Sequence, residues 1–120
     1  MAVGSERDKK NKALGKKGER QAELYLKRSG YKILERNYKN PFGEVDIIAE
    51  KGDVVAFVEV KTRLNDNYGA PSEAVGIKRR EKYIKAAQFY FCGKQIDTTV
   101  RFDIIEIVRG EINHIENAFY

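Results

Sequence analysis

Gly52-Asp53 separates two apolar-rich runs, Gly43 to Lys51 and Val54 to Lys61, and no other dipeptide restricts the folding of this chain as tightly. A two-residue loop with glycine first suits a type II′ turn, whose twist matches that of the strands it joins. In such a hairpin the numbers of paired residues keep a constant sum, so Lys51 opposite Val54 sets every other pair. Val45 then faces Val60, Ile47 faces Val58 and Ala49 faces Ala56. That face is wholly apolar and has to lie against a helix or the core. On the other face Ile48 meets Phe57, Asp46 meets Glu59 and Glu44 meets Lys61.

Carboxylates directly across a ribbon have Cβ atoms about 5 Å apart and repel by on the order of 3 kcal/mol at an effective dielectric of roughly 20. Lys61 offsets part of this, yet Glu44, Asp46 and Glu59 against one lysine leave two formal negative charges. A divalent cation would balance them, and hard oxygen donors suit Mg2+ or Mn2+. Such an ion promotes hydrolysis of phosphate esters, with Lys61 placed to orient the attacking water and offset developing charge. The competing explanation is a salt-bridge cluster in which Lys61 and Arg63 neutralise exposed acids. Ile48 and Phe57, bordering the charges on the same face, speak for an enclosed site instead.

The rest of the chain supplies the layers around this ribbon. Apolar positions Leu14, Ala22, Tyr25 and Leu26 predict a helix over 14–29, closed by Gly30, with Glu19 on its inward side. Residues 31–37 read as a strand and Asn40-Pro41-Phe42-Gly43 as a turn. A second helix is expected over 78–91 with Ile77, Ile84, Ala87 and Phe91 on one stripe. A strand over 99–108 follows, and 111–117 pairs with it across Arg109-Gly110. Helix, three strands, helix and further strand make an α/β sandwich with a mixed sheet, because the second helix permits a parallel crossover. Residues 1–12 are expected to be a mobile basic tail and 13–120 a single domain.

The net charge is +5, and two stretches hold much of the basic excess. One runs from Arg7 to Arg20 and includes Lys16 and Lys17; the other comprises Lys78, Arg79, Arg80, Lys82 and Lys85. Segments of this density suit the phosphate backbone of a nucleic acid, where counterion release drives binding. Cys92 and His114 are the only residues of their kinds, which excludes internal disulfides and Cys/His metal sites, and both are expected to be structural. The longest apolar run, Val54 to Val58, is too short for a bilayer and no secretory leader is read, so a cytoplasmic location is expected.

Gly43-Glu44-Val45-Asp46 and Val58-Glu59-Val60-Lys61-Thr62-Arg63 resemble the acid and Glu-x-Lys halves of the PD-(D/E)XK nuclease superfamily. With Gly18-Glu19, Ala22, Gly30-Tyr31, Arg36-Asn37, Phe57 to Arg63, Lys78 and Asn117-Ala118-Phe119, the pattern is similar to the YraN-like family of bacterial endonuclease-like proteins. The resemblance implies a restriction-endonuclease-like α-β-β-β-α-β sandwich around a central mixed sheet. It further implies that Asp46, Glu59 and the Val60 carbonyl ligate Mg2+ or Mn2+, and that Lys61 is the catalytic lysine. Glu19 resembles the additional acid of junction-resolving relatives, with a cap or salt-bridge role as its alternative, and Glu44 is a supporting acid. Val45 stands where the superfamily name places proline. The implied activity is hydrolysis of DNA phosphodiester bonds, including branched or junction DNA in repair or recombination. A non-catalytic nucleic-acid-binding or scaffold protein of the same fold is the alternative. Lys16, Lys17, Arg63, Lys78 and Arg79 are the expected nucleic-acid contacts; Asn65, Asn67 and Tyr68 in the following loop are placed to touch nucleic acid, with ordinary loop chemistry as the equal alternative. Cutting both strands would call for a homodimer.

Overall fold

The computed structural model describes residues 6–63, 77–92, 94 and 97–118. In chain order the elements are α1 Glu6–Arg28, β1 Lys32–Asn40, β2 Gly43–Lys51, β3 Val54–Arg63, α2 Ile77–Tyr90, β4 Thr99–Val108 and β5 Glu111–Ile115. This is the expected α-β-β-β-α-β order with a fifth strand appended. The strands form one sheet in sequence order, antiparallel throughout except for the parallel β3–β4 pair that the α2 crossover creates. Among the described residues no helix is long and apolar enough to cross a membrane.

Most boundaries follow the local chemistry. Gly52 has φ of +59° while Asp53 keeps a negative φ, as a glycine-first type II′ turn requires. Arg109 and Gly110 both have positive φ, the signature of a type I′ turn between β4 and β5. α1 begins at Glu6 instead of Leu14, so residues 6–12, expected as a mobile tail, are helical. Their Lys, Arg and Glu residues have good helix propensity without any apolar period to reveal it. β1 continues to Asn40, three pairs past the expected end at Asn37, because Tyr38, Lys39 and Asn40 pair with Val45, Glu44 and Gly43.

Each face of the sheet carries one helix and one core. Beneath α1, and packed with its Ala22 and Leu26, lie Tyr31, Ile47, Ala49, Ala56, Val58, Ile105 and Ile107. Beneath α2 lie Val45, Ile48, Phe57, Phe102 and Ile104 with Tyr83, Ala86 and Ala87 of the helix. Val45 is a correction: it was expected on the same face as Ile47 but packs under α2. Tyr83 and Ala86 likewise belong to the buried stripe of α2, where the expected stripe had passed them over.

α1 lies close against β3 at Gly18. A Cβ there would collide with Thr62 Oγ1 and come within 3.2 Å of the Thr62 Cβ, whereas one at Gly15 meets nothing within 4 Å. Two glycines of one helix are therefore expected to respond with opposite sign. Gly18→Ala should lower stability by about 1–3 kcal/mol through overpacking, and Gly15→Ala should raise it by about 1 kcal/mol through helix propensity. Urea midpoints measure both, and a neutral Gly18→Ala would show that the helix is free to lift away.

Candidate active site

β2 and β3 do not stay paired to their ends. The register between them runs from Lys51↔Val54 to Ile47↔Val58 as the constant sum requires. Past that pair the strands part, so Asp46↔Glu59 and Glu44↔Lys61 are not ladder partners as expected. By the alternation of an antiparallel ladder the Val60 N–H would next donate to the Val45 carbonyl. It donates instead to Asp46 Oδ2 at 2.8 Å. The Asp46 side chain thus replaces a backbone acceptor, β2 turns as it leaves β3, and Val45 swings under α2. On the other side of β2, Asn37 adopts a left-handed φ of 46° at the level of Asp46.

Glu59 stands on the closed side of this fork, only 4% exposed. Its Oε2 accepts the Tyr83 hydroxyl at 2.5 Å, and its Oε1 lies 3.3 Å from Lys61 Nζ and 3.5 Å from the Arg79 guanidinium. Burial, then the charges of Glu59 and Asp46, push the Tyr83 phenol well above its usual value, so it stays a donor. The hydrogen bond fixes the carboxylate plane from α2, while Lys61 and Arg79 balance its charge.

Asp46 lies within the field of the same group. Burial comes first and the charge of Glu59 second in pushing its carboxyl up to about 7, against the Val60 N–H, which favours the ionised form. Glu19 raises it further and Arg79 lowers it. Glu19 itself accepts from the Asn37 amide at 3.0 Å and shares with Asp46, Lys16 and Arg20 a cleft of about 210 Å³ between α1 and β2. The packing of Gly18 on Thr62 brings α1 near enough for its next residue to reach this cleft.

The structure therefore gathers Asp46, Glu59, Lys61 and Glu19 around the fork, with Arg79 above it. Glu44 stands apart, exposed and opposite Lys39 of β1. Lys16 and Lys17 are exposed on α1, and Lys78 is exposed at the start of α2. Arg63, expected as a nucleic-acid contact, forms a mostly buried ion pair with Glu106 of β4 at 3.0 Å. Asn65, Asn67 and Tyr68 lie outside the described residues. Tyr83 and Arg79 as partners of Glu59 were not foreseen. Their signal was a tyrosine one helical turn from Arg79 and from Ala86-Ala87, the spacing of a single face.

No cluster of three or more Asp, Glu, His or Cys stands ready for a metal ion among the described residues. The donor set nevertheless fits Mg2+ or Mn2+, which commonly take one or two carboxylates, keep several waters and share phosphate oxygens. Two carboxylates close enough for one to raise the pKa of the other supply such a pair. The Val60 carbonyl, on the edge of β3 that faces β2, opens into the same gap because Val45 has turned away.

The model of the uncharacterised protein family UPF0102 matches residues 18–107, from Gly18 through most of β4. A UPF0102 protein of Persephonella marina is 50% identical over 106 residues, covering 88% of this chain and 91% of that relative. UPF0102 proteins of Thermodesulfovibrio yellowstonii and Clostridium acetobutylicum are 47% and 46% identical over 107 and 116 residues. These cover 89% and 91% of this chain and 96% and 95% of the relatives. The matched span holds every residue of the fork, and the chain belongs to the UPF0102 family, the YraN-like proteins.

Proposed function

We propose that this protein is a Mg2+- or Mn2+-dependent nuclease that hydrolyses phosphodiester bonds of DNA, with branched or junction DNA in repair or recombination as its substrate class. The observation that carries the reading is the strand fork itself, where Asp46 takes the Val60 N–H beside the buried Glu59 and Lys61 Nζ lies 3.3 Å from that carboxylate, with burial first and Glu59 second raising the Asp46 carboxyl. Asp46, Glu59 and the Val60 carbonyl would hold the ion, with Glu19 behind Asp46. When bound, the ion supplies charge stabilisation to the phosphate and acidity to a water. Lys61 orients the attacking water and offsets charge on the phosphate. Tyr83 keeps Glu59 aimed into the gap. Arg79, nearly half exposed, exchanges Glu59 for a DNA phosphate, and Lys16, Lys17 and Lys78 add phosphate contacts. A homodimer in the cytoplasm acting on both strands completes the proposal.

The test is incubation with plasmid, single-stranded and branched DNA, with either metal and with chelator. Metal-dependent cleavage is expected, reduced at least about a thousandfold in Lys61→Ala, an effect of about 4 kcal/mol on the barrier. Binding of DNA should survive the substitution. Equal cleavage by the variant would trace the activity to a contaminant.

One observation favours a second reading. Glu59 is already held by Lys61, Arg79 and Tyr83, a resting state that a nucleic-acid-binding or scaffold protein of this fold has no need to disturb. Metal titration separates the two, since an ion bound only by the folded state raises the melting temperature with dose. No shift, together with salt-sensitive DNA binding, would favour the binding protein.

A further inference from the structure

The turn between β1 and β2 carries an aromatic ring that the fold does not require. Phe42 is 37% exposed, and Phe89 on α2 is 47% exposed. Their centroids stand 6.3 Å apart at 75°, so Phe89 braces the edge of the Phe42 ring. Lys85 Nζ lies 5.9 Å from the centroid of that ring. The backbone beneath is fixed as well, because the Phe42 N–H donates to Asn40 Oδ1 at 2.9 Å. A ring held this way loses little freedom when something stacks on it.

Phe42 forms one wall of a cleft of about 400 Å³, whose opposite wall is α2 with Lys78, Arg79, Lys82 and Tyr83. Gly43 forms part of the floor and Glu44 is the acid on its rim. Neither Lys78 nor Lys82 forms an ion pair with an acid among the described residues. Arg79 and Tyr83 reach from the same cleft to Glu59, so it opens directly onto the fork. Its volume lies in the lower part of the range of small-ligand pockets, about 300–1,000 Å³.

We propose that this cleft seats one unpaired nucleotide of a nucleic acid strand, with its base stacked on Phe42 and its phosphate held by Lys78 and Lys82. An aromatic ring beside a basic groove is the usual arrangement for binding single strands, since every base offers a π-face and every nucleotide a phosphate. A base inside continuous duplex is already stacked on its neighbours and does not reach the ring. The proposal deepens the nuclease reading by naming the local substrate structure: a strand end, flap or displaced nucleotide next to the bond that is cut. The cations select the polyanion, and the ring selects its unpaired state.

The test is binding by the full chain in the presence of chelator, followed by fluorescence anisotropy of a labelled oligothymidylate and of a blunt duplex of mixed sequence. The wild type is expected to bind the single strand more tightly. Phe42→Ala should weaken single-strand binding about ten- to a hundredfold while leaving duplex binding unchanged and the protein folded, with a cooperative melt. Phe42→Trp should retain the preference. Lys82→Ala should weaken both ligands and reduce the steepness of the salt dependence by about one phosphate contact. Wild-type affinity for the single strand in Phe42→Ala, or equal loss for both ligands, would overturn the stacking site. Because metal is absent throughout, a protein that passes this test and cuts nothing fails only as a nuclease. One that cuts but ignores Phe42 fails only here.

Discussion

Asp46→Asn is expected to abolish cleavage and, at neutral pH and above, to make the protein more stable. The carboxyl titrates near 7 in the folded chain and at the usual 3.8 when unfolded. Between those values the folded state holds a proton that the unfolded chain has released, so this group's contribution to stability falls as pH rises through the window. Above about pH 7 the cost is complete, on the order of 4 kcal/mol as an upper bound. Asparagine still offers the Val60 N–H an oxygen and does not titrate. The stability gap between variant and wild type should therefore be small near pH 4, widen toward pH 7 and then level off. Millimolar Mg2+ should close it by stabilising only the wild type, since an ion at the fork replaces the missing proton. Denaturant melts across the pH series measure all of this. A pH-independent gap would mean that Asp46 is an ordinary surface acid. Loss of cleavage by about a thousandfold or more, in a variant that melts later, would separate function from folding.

Asp103→Ala is expected to produce the opposite outcome, a large loss of stability away from the fork. Asp103 is completely buried in β4, where its carboxylate accepts from Arg101 Nε at 2.9 Å, His114 Nε2 at 2.7 Å and the Asn117 N–H at 3.0 Å. Arg101 also donates to the Tyr31 hydroxyl, and Tyr25 meets the other nitrogen of His114 at 3.1 Å. Burial alone would raise the Asp103 carboxyl, but His114, Arg101 and Asn117 outweigh it and hold the pKa below its usual value. Its stabilisation is therefore present above about pH 4 and is lost as pH falls through the depressed value. Truncation leaves a mostly buried guanidinium with only Glu116, 3.6 Å away and largely exposed, as counter-charge, and removal of one partner of a buried pair typically costs about 3–5 kcal/mol. Asp103→Asn, which keeps the shape and an acceptor, should cost about half as much. Urea midpoints at pH 7 measure the pair. A loss below about 1 kcal/mol would mean that water compensates Arg101 and that the network is dispensable.

The hairpin was legible because its information is local. Side chains alternate with a period of two, and a glycine where φ has to be positive marks the turn, so Lys51↔Val54 carried the register correctly as far as Ile47↔Val58. The break at Asp46 was not legible, because it arises from a side chain competing for a backbone N–H, and such competition leaves no mark on periodicity. Val45 was misplaced for that reason alone. In α2 the sequence admits two helical frames, and Tyr83, preceded by Glu81 and Lys82, reads equally well as exposed. Only the position of the sheet decides for burial. Asp103 had a signal that went unused: an acid in the middle of an otherwise apolar strand has to find donors, and the one histidine of the chain is among them. Glu19 was placed on the inward side of its helix by spacing, but its distance from the sheet depends on Gly18, whose importance appears only once Thr62 stands opposite.

β3 is the middle strand, bonded to β2 along one edge through Val58 and to β4 along its full length on the other. Amides flanked in this way exchange with solvent chiefly when the whole domain opens, whereas a strand end that has left one of its two partners opens at lower cost. Glu59 therefore rides on a fixed jaw, and Asp46 on one that beyond Ile47 is bonded along its backbone to β1 alone. Widening of the bite moves the end of β2 together with Tyr38 to Asn40 of β1, to which it is bonded, and draws on Val45 in the core under α2, while β3 keeps its place.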